Sequence, residues 1–329
     1  VTKRSLTIVV CVVVLAGCAQ KRFEGVERGS RYYRLIDLAG EFDALAADKA
    51  GVTPEEQLEA FRARVASRFP GFYDPDRTDW LTREEYQQQV LEAIENQHRI
   101  RERYRDLVQR FPAMLEDAVA SFGAFFPDMP PIGDVYLVHS IYEMDGGTRE
   151  IDGRQLLIFG ADVMVMVQDF EDKRPFLHHE LFHVYHARFF HGCEQLWCSI
   201  WSEGLAVLVA SQLNPGATQD QLLLTSPAPM VDAIDENPGR AFCELSRLAA
   251  STDPDDYASV LGGGEALEGL PLRFGYYAGY LIARAKQSAL DLSLAELAHM
   301  PNDRVRELIL PELGRRCTVA TVEQGQGAS

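Results

Sequence analysis

The chain has 329 residues, 47% of them hydrophobic and 25% charged, with 49 acidic side chains against 32 basic ones. Such fractions belong to a globular protein with ample material for a core, and they exclude disordered, collagen-like and multi-span membrane classes. A formal net charge of -17 excludes a nucleic-acid binder, which needs a basic face to displace counterions from phosphates.

Lys3 and Arg4 are followed by an apolar run over residues 6–16, ending in Leu15-Ala16-Gly17-Cys18. As a helix the run rises about 16 Å, roughly half a bilayer core, so it reads as a secretory signal over residues 1–17 rather than a span. Leu15-Ala16-Gly17-Cys18 resembles the lipobox of bacterial lipoproteins, which implies cleavage before Cys18 and a lipid anchor on that residue. Ala19 and Gln20 carry no acidic sorting signal, which by the same resemblance places the protein in the bacterial cell envelope, at the periplasmic side of the outer membrane. Without residues 1–17 the chain holds 30 basic and 49 acidic residues, or -19. Lipid rather than surface charge would then hold it to an anionic membrane.

In that oxidising compartment Cys193, Cys198, Cys243 and Cys317 read as disulfides. Paired Cys-x-x-Cys spacing, the mark of a four-Cys zinc site, does not occur. The expected bridges are Cys193–Cys198 and Cys243–Cys317, one of three possible pairings.

Residues 18–31 are polar and read as a tether. A helical region follows over 32–130, where Thr53-Pro54-Glu55-Glu56 and Thr82-Arg83-Glu84-Glu85 are capping boxes separated by Pro70-Gly71 and Asp74-Pro75. Arg99, Arg101, Arg103 and Arg105 interleave with Glu95, Glu102 and Asp106, so they read as a solvated face. The Pro-rich break at 127–133 is the best domain boundary, and residues 131–317 form the expected catalytic domain. Short strands are expected at 135–139 and 156–159, joined through the turn signals Asp145-Gly146-Gly147 and Asp152-Gly153. Helices are expected near 175–190, 199–213, 240–250, 274–287 and 293–312, the last opened by the capping box Ser293-Leu294-Ala295-Glu296. Residues 318–329 read as a polar tail that frays. The fold class is α+β and mostly helical, a small β-sheet with a zincin-like active-site helix and a C-terminal helical bundle.

The chemistry lies in His178-His179-Glu180-Leu181-Phe182-His183-Val184-Tyr185-His186. His179 and His183 sit one helical turn apart on one face and can hold one Zn²⁺ from the same side. Glu180 projects beside them and can take a proton from a metal-activated water. Hydrolytic zinc sites use three protein ligands. Trp201-Ser202-Glu203-Gly204-Leu205-Ala206 opens the next helix, and an antiparallel return would bring Glu203 back to the pair, with Gly204 allowing close approach.

The two motifs together resemble the gluzincin class of zinc metallopeptidases, and within it bacterial families of predicted zinc-dependent proteases with an E-G-[LI]-A ligand helix. The resemblance covers about residues 134–315. It implies that His179, His183 and Glu203 are zinc ligands and that Glu180 is the catalytic base. A metzincin is excluded, because its Gly and third His would fall where His186 and Phe189 stand. His186, at i+7 from His179, lies about 10.5 Å along the helix, too far to share the ion, and reads as packing or support. His98, His139 and His299 are isolated. Thermolysin-like gluzincins carry an Asp four residues after the ligand Glu; here Val207 stands there, so no partner for His179 is identified.

An oxyanion donor is expected from Arg273-Phe274-Gly275-Tyr276-Tyr277-Ala278-Gly279-Tyr280. Tyr276, whose Tyr-x-x-Gly resembles the tyrosine motif of zinc aminopeptidases, comes first and Tyr277 second, against the alternative that both are core aromatics. The expected function is a zinc-dependent, lipid-anchored envelope peptidase acting on peptide or protein, with the strand at 156–159 a candidate for pairing with extended substrate. An amidase acting on other envelope amide bonds and a non-catalytic zinc-binding scaffold are the alternatives.

Overall fold

The computed structural model describes residues 28–29, 32–77 and 80–326. The signal, Cys18 and most of the expected tether lie outside the described residues. The architecture is α+β and mostly helical. Strands β1 (Arg28–Gly29) and β2 (Tyr33–Asp37) lead into α1 (Ala39–Asp48), α2 (Pro54–Arg64), a 3₁₀ turn at Ala66–Arg68 and α3 (Arg83–Phe125). Then come β3 (Gly133–Val138), β4 (Gly146–Ile151), β5 (Arg154–Gly160), α4 (Ala161–Val167), α5 (Arg174–His186) and α6 (Leu196–Leu213). The C-terminal part holds α7 (Val231–Glu236), α8 (Pro238–Leu248), α9 (Pro254–Val260), α10 (Gly275–Leu290), α11 (Leu294–Ala298) and α12 (Asn302–Gln326).

All three capping boxes form: the Thr53, Thr82 and Ser293 side chains accept from the backbone three residues on, and Glu56, Glu85 and Glu296 reach back. The box at Thr82 opens a helix of 43 residues, about 64 Å long. Its buried positions Val90, Gln97, Tyr104, Phe111 and Ala118 recur every seventh residue, so one narrow stripe faces inward along its length.

The sheet order is β1-β2-β3-β5-β4, with β2–β3 and β3–β5 parallel and the two outer pairs antiparallel. Asp152 and Gly153, both at positive φ, make the two-residue turn joining β4 to β5, a conformation that suits the twist of a hairpin.

Several expectations are corrected here. The opening of the supposed all-helical region is a strand: β2 lies at the heart of the sheet and pairs with β3 from Tyr33↔Gly133 onward. Five residues are too few to show a period against the helices that follow. The break at 127–133 does not separate two cores, because Tyr33, Leu35 and the buried face of α3 join β3, β5, α5 and α6 in one apolar cluster. Gly146 and Gly147 begin a strand rather than a turn. The strand expected to meet substrate, β5, is interior; β4 is the edge. Pro301, which lacks a backbone donor, divides the helix expected over 293–312 into α11 and α12, and α12 continues to Gln326 instead of fraying after Cys317. Arg103 and Arg105 lie on a solvated face as expected, and in addition Arg101 and Arg105 reach the buried carboxylate of Asp43 in α1, at 3.0 and 2.7 Å.

Both expected disulfides are present: Cys193–Cys198, joining the α5–α6 connection to the first turn of α6, and Cys243–Cys317, tying α8 to α12. Helix α6 is apolar and long enough to cross a membrane by composition, yet 67% of it is buried inside the protein, as befits a central core helix that carries Glu203.

Candidate metal centre

Helix α5 starts with Pro175 in its first turn, where a missing backbone donor costs nothing. It buries Phe176, Leu181, Phe182 and Tyr185 against the core, which leaves the face with His179 and His183 toward a cleft. Helix α6 returns antiparallel in effect, and Glu203 meets the pair: Glu203 Oε2 lies 3.2 Å from Nε2 of both His179 and His183, and the two Nε2 atoms are 3.0 Å apart. Among the described residues these three form the group of His, Cys, Asp or Glu donors positioned to share an ion.

The donor set fits zinc. Ligands at roughly 2.0–2.1 Å in tetrahedral array stand about 3.4 Å from one another, close to the spacings found. Two imidazole nitrogens and one carboxylate oxygen facing a common point offer a cation three lone pairs once the imidazoles are neutral. Burial pushes His183 down, but the facing Glu203 carboxylate overrides it and lifts the imidazole to about 9. Burial likewise pushes Glu203 up, and the two imidazoles pull it well below the usual carboxylate range. The cluster thus holds a proton that a metal would displace.

Glu180 is buried at 7% exposure beside the triad. Burial raises its carboxyl, with His179 and His183 opposing and Asp145 and Glu203 adding to the rise. Opposite it stands Gly147 at φ 145°, where a Cβ would come within 3.9 Å of Glu180 Oε2. The absence of a side chain keeps open the space between edge strand and base.

The cleft, about 430 Å³, is walled by the β4 edge, by Leu223 and Tyr257, and by the start of α10. Tyr276 lies in it, its ring stacked on His179 with centroids 6.1 Å apart and planes 20° apart. Tyr277 does not: its hydroxyl donates to Asp235 at 3.1 Å, tying α10 to α7. Burial raises Tyr276 far above an ordinary phenol, so it stays a hydrogen-bond donor.

The remaining histidines support the helix. His186 is buried between the rings of Phe182 and Phe190, at 5.0 and 4.9 Å, with Nδ1 3.4 Å from Ser202 Oγ. Burial pulls it down to about 3 and keeps it neutral. His178 faces away, linking α5 to Ser121 of α3 at 2.8 Å and to Asn214 at 2.9 Å. His139 is buried against Phe42 and Asp162. Val207, in the place of the thermolysin-like Asp, is fully buried core.

Gly204 does not serve the α5–α6 approach expected of it. A Cβ there would fall 2.1 Å from the carbonyl carbon of Gly279, and one on Gly279 2.2 Å from Ile200 O. The two glycines form the crossing of α6 with α10, which sets Glu203 against Tyr276.

Sequence reasoning missed Arg273, Arg149, Asp145 and Tyr257, all of which line the cleft. The Arg-x-x-Tyr spacing from Arg273 to Tyr276 was the one available signal, since a residue just before a helix start and its first-turn partner share an end of the helix. No known protein family, curated protein or solved structure matches this chain.

Proposed function

We propose that this protein is a zinc-dependent peptidase of the gluzincin type. The convergence of His179, His183 and Glu203 from two helices, with Glu180 beside them in an open cleft, carries this reading. Held by those three residues, zinc supplies Lewis acidity that polarises a carbonyl and acidifies water. Glu180 takes the proton of the attacking water and delivers it to the leaving amine, a task suited to a carboxyl that burial raises above its ordinary value. Tyr276 offers its hydroxyl to the developing oxyanion. Among the described residues β4 pairs with β5 and ends the sheet, and an extended peptide can add on its other side as a further strand.

The site's position after an expected signal, together with two disulfides, supports placement in an oxidising envelope compartment with lipid on Cys18. Intact-mass spectrometry of the mature protein tests the anchor: an unmodified Cys18 would refute it. The activity is tested by incubating zinc-loaded wild type and Glu180→Gln with denatured protein, and separately with murein fragments. Cleavage of the protein by wild type alone supports a peptidase. Cleavage confined to murein fragments assigns an amidase, and a Glu180→Gln strain that keeps the full cellular role assigns a scaffold.

A further inference from the structure

Arg273 is the feature of the cleft that peptide-bond hydrolysis leaves unused. It stands at φ 61°, in the left-handed region that side chains with a Cβ rarely adopt, two residues before α10. Its guanidinium lies 4.3 Å over the ring of Tyr276, which in turn stacks on His179. Its hydrogen bond to Ser226 O is 3.5 Å long, at the outer limit for such a bond. No carboxylate of the described residues makes an ion pair with it, although Asp145 and Glu203 act on it from farther away. The other cleft arginine, Arg149, is by contrast engaged by Glu143 at 3.3 Å. The guanidinium also hydrogen-bonds to the Tyr276 side chain, and with five N–H donors shared between that group and one carbonyl, and no anion, it has donors left for a carboxylate.

We propose that Arg273 recognises a carboxylate on the substrate, next to the bond that is cleaved. This rests on the reading of the cleft as a zinc peptidase site. The contacts from His179 through Tyr276 to Arg273 cover a span that two or three extended residues match at roughly 3.3–3.6 Å each. A carboxylate one or two residues from the scissile carbonyl therefore reaches the fork while that carbonyl sits by the triad. With zinc bound, the ion and Arg273 offset the charges of Asp145, Glu180 and Glu203. The cleft thus accepts an anion within a chain whose net charge is -17. The carboxylate is either a peptide's own C-terminus or an acidic side chain, and the two present the same planar, bidentate acceptor.

The test is binding to zinc-loaded Glu180→Gln protein, which cannot turn the probes over. Three probes are titrated by calorimetry: N-acetyl-trialanine as free acid, its C-terminal amide, and N-acetyl-Ala-Glu-Ala amide. At least one carboxylate probe should bind about tenfold or more tightly than the neutral amide, as charge-assisted hydrogen bonds allow. Adding Arg273→Gln should abolish that preference, and Arg273→Lys should restore part of it, with zinc content by elemental analysis unchanged in all. Preference for the free acid identifies a C-terminal carboxylate, and preference for the Glu probe an acidic side chain. Equal binding of the three probes, no binding of any, or a preference that survives Arg273→Gln overturns the proposal. If peptides are cleaved without such preference, only this proposal falls. If the preference depends on Arg273 but no peptide is cleaved, the peptidase reading falls and the anion site stands.

Discussion

Gly204 and Gly279 pack backbone against backbone, so closely that a methyl group on either would overlap main-chain atoms of the other helix. Gly204 follows the candidate ligand Glu203 directly, and Gly279 lies one turn beyond Tyr276, so this contact sets the separation of ligand and phenol. Gly204→Ala must push α6 from α10, and overpacking of this kind costs about 1–3 kcal/mol. The expected result is a lower melting temperature together with weaker zinc retention. Gly123→Ala in α3 is the control: nothing lies within 4 Å of its Cβ position, and the gain in helix propensity is up to about 1 kcal/mol. Thermal unfolding and zinc content of the two variants, side by side, check the argument.

Glu203→Gln should strip zinc during dialysis, because a neutral amide replaces an anionic oxygen donor. Glu180→Gln and His186→Ala should retain it, the latter with some loss of stability from the aromatic stack. Full zinc and full activity in Glu203→Gln would remove the gluzincin assignment. Because Glu203 holds His183 at about 9, the metal-free cluster is protonated at neutral pH, and zinc must expel that proton. Affinity should therefore rise with pH up to about 9. Calorimetry in buffers of differing ionisation enthalpy should show about one proton released per ion near pH 7.

Glu312 of α12 supplies a second pH dependence, remote from the cleft. Burial pushes its carboxyl up, but Arg315, Arg316 and Lys286 hydrogen-bond to it and hold it at about 2, against an ordinary 4.5. A depressed carboxyl stabilises the fold above its unfolded value and loses that contribution as pH falls from about 4.5 toward 2. Urea midpoints at pH 5 and pH 3 should thus differ more for wild type than for Glu312→Gln. Equal differences would show that the cluster contributes nothing.

The two disulfides should differ in weight. Cys243–Cys317 closes a loop of sequence separation 74, against 5 for Cys193–Cys198. Chain-entropy scaling gives about 4 kcal/mol for the first and about 2 kcal/mol for the second. Replacing Cys243 and Cys317 together with Ala should lower stability roughly twice as much as replacing Cys193 and Cys198, as read from urea unfolding under oxidising conditions. Mapping of non-reduced peptides checks the pairing itself.

What could be read from the sequence was local. The His179–His183 face and the capping boxes at Thr53, Thr82 and Ser293 depend on residues within one or two turns, so their spacing is already their geometry. Glu203 was reachable because a short connection between two helices leaves few ways to return. Strand β2 was not, because its partner lies far along the chain and five residues carry little pattern. Strand β4 was hidden by Gly146 and Gly147, which read as a turn; Gly146 leaves room for the Phe176 and Phe159 rings, and Gly147 adopts a positive φ. Arg273 and Asp43 escaped for a different reason. Arg273 stood in a segment read for its tyrosines, and its place in the cleft depends on the walls that distant segments bring to it; Asp43 acquires its role from Arg101 and Arg105 of a helix far along the chain.

The pairing of Tyr33 with Gly133 also bears on how the protein is made. A chain synthesised from its N-terminus presents β2 long before β3 exists. Until then, among the described residues, β2 has the two residues of β1 to pair with, and its other edge stays open across α1, α2 and the whole of α3. Closing so long a loop is slow, and an open strand edge invites pairing with other chains. Completion of the sheet therefore waits for residues 133–160, and until they arrive the open edge of β2 is a place where a wrong strand can pair.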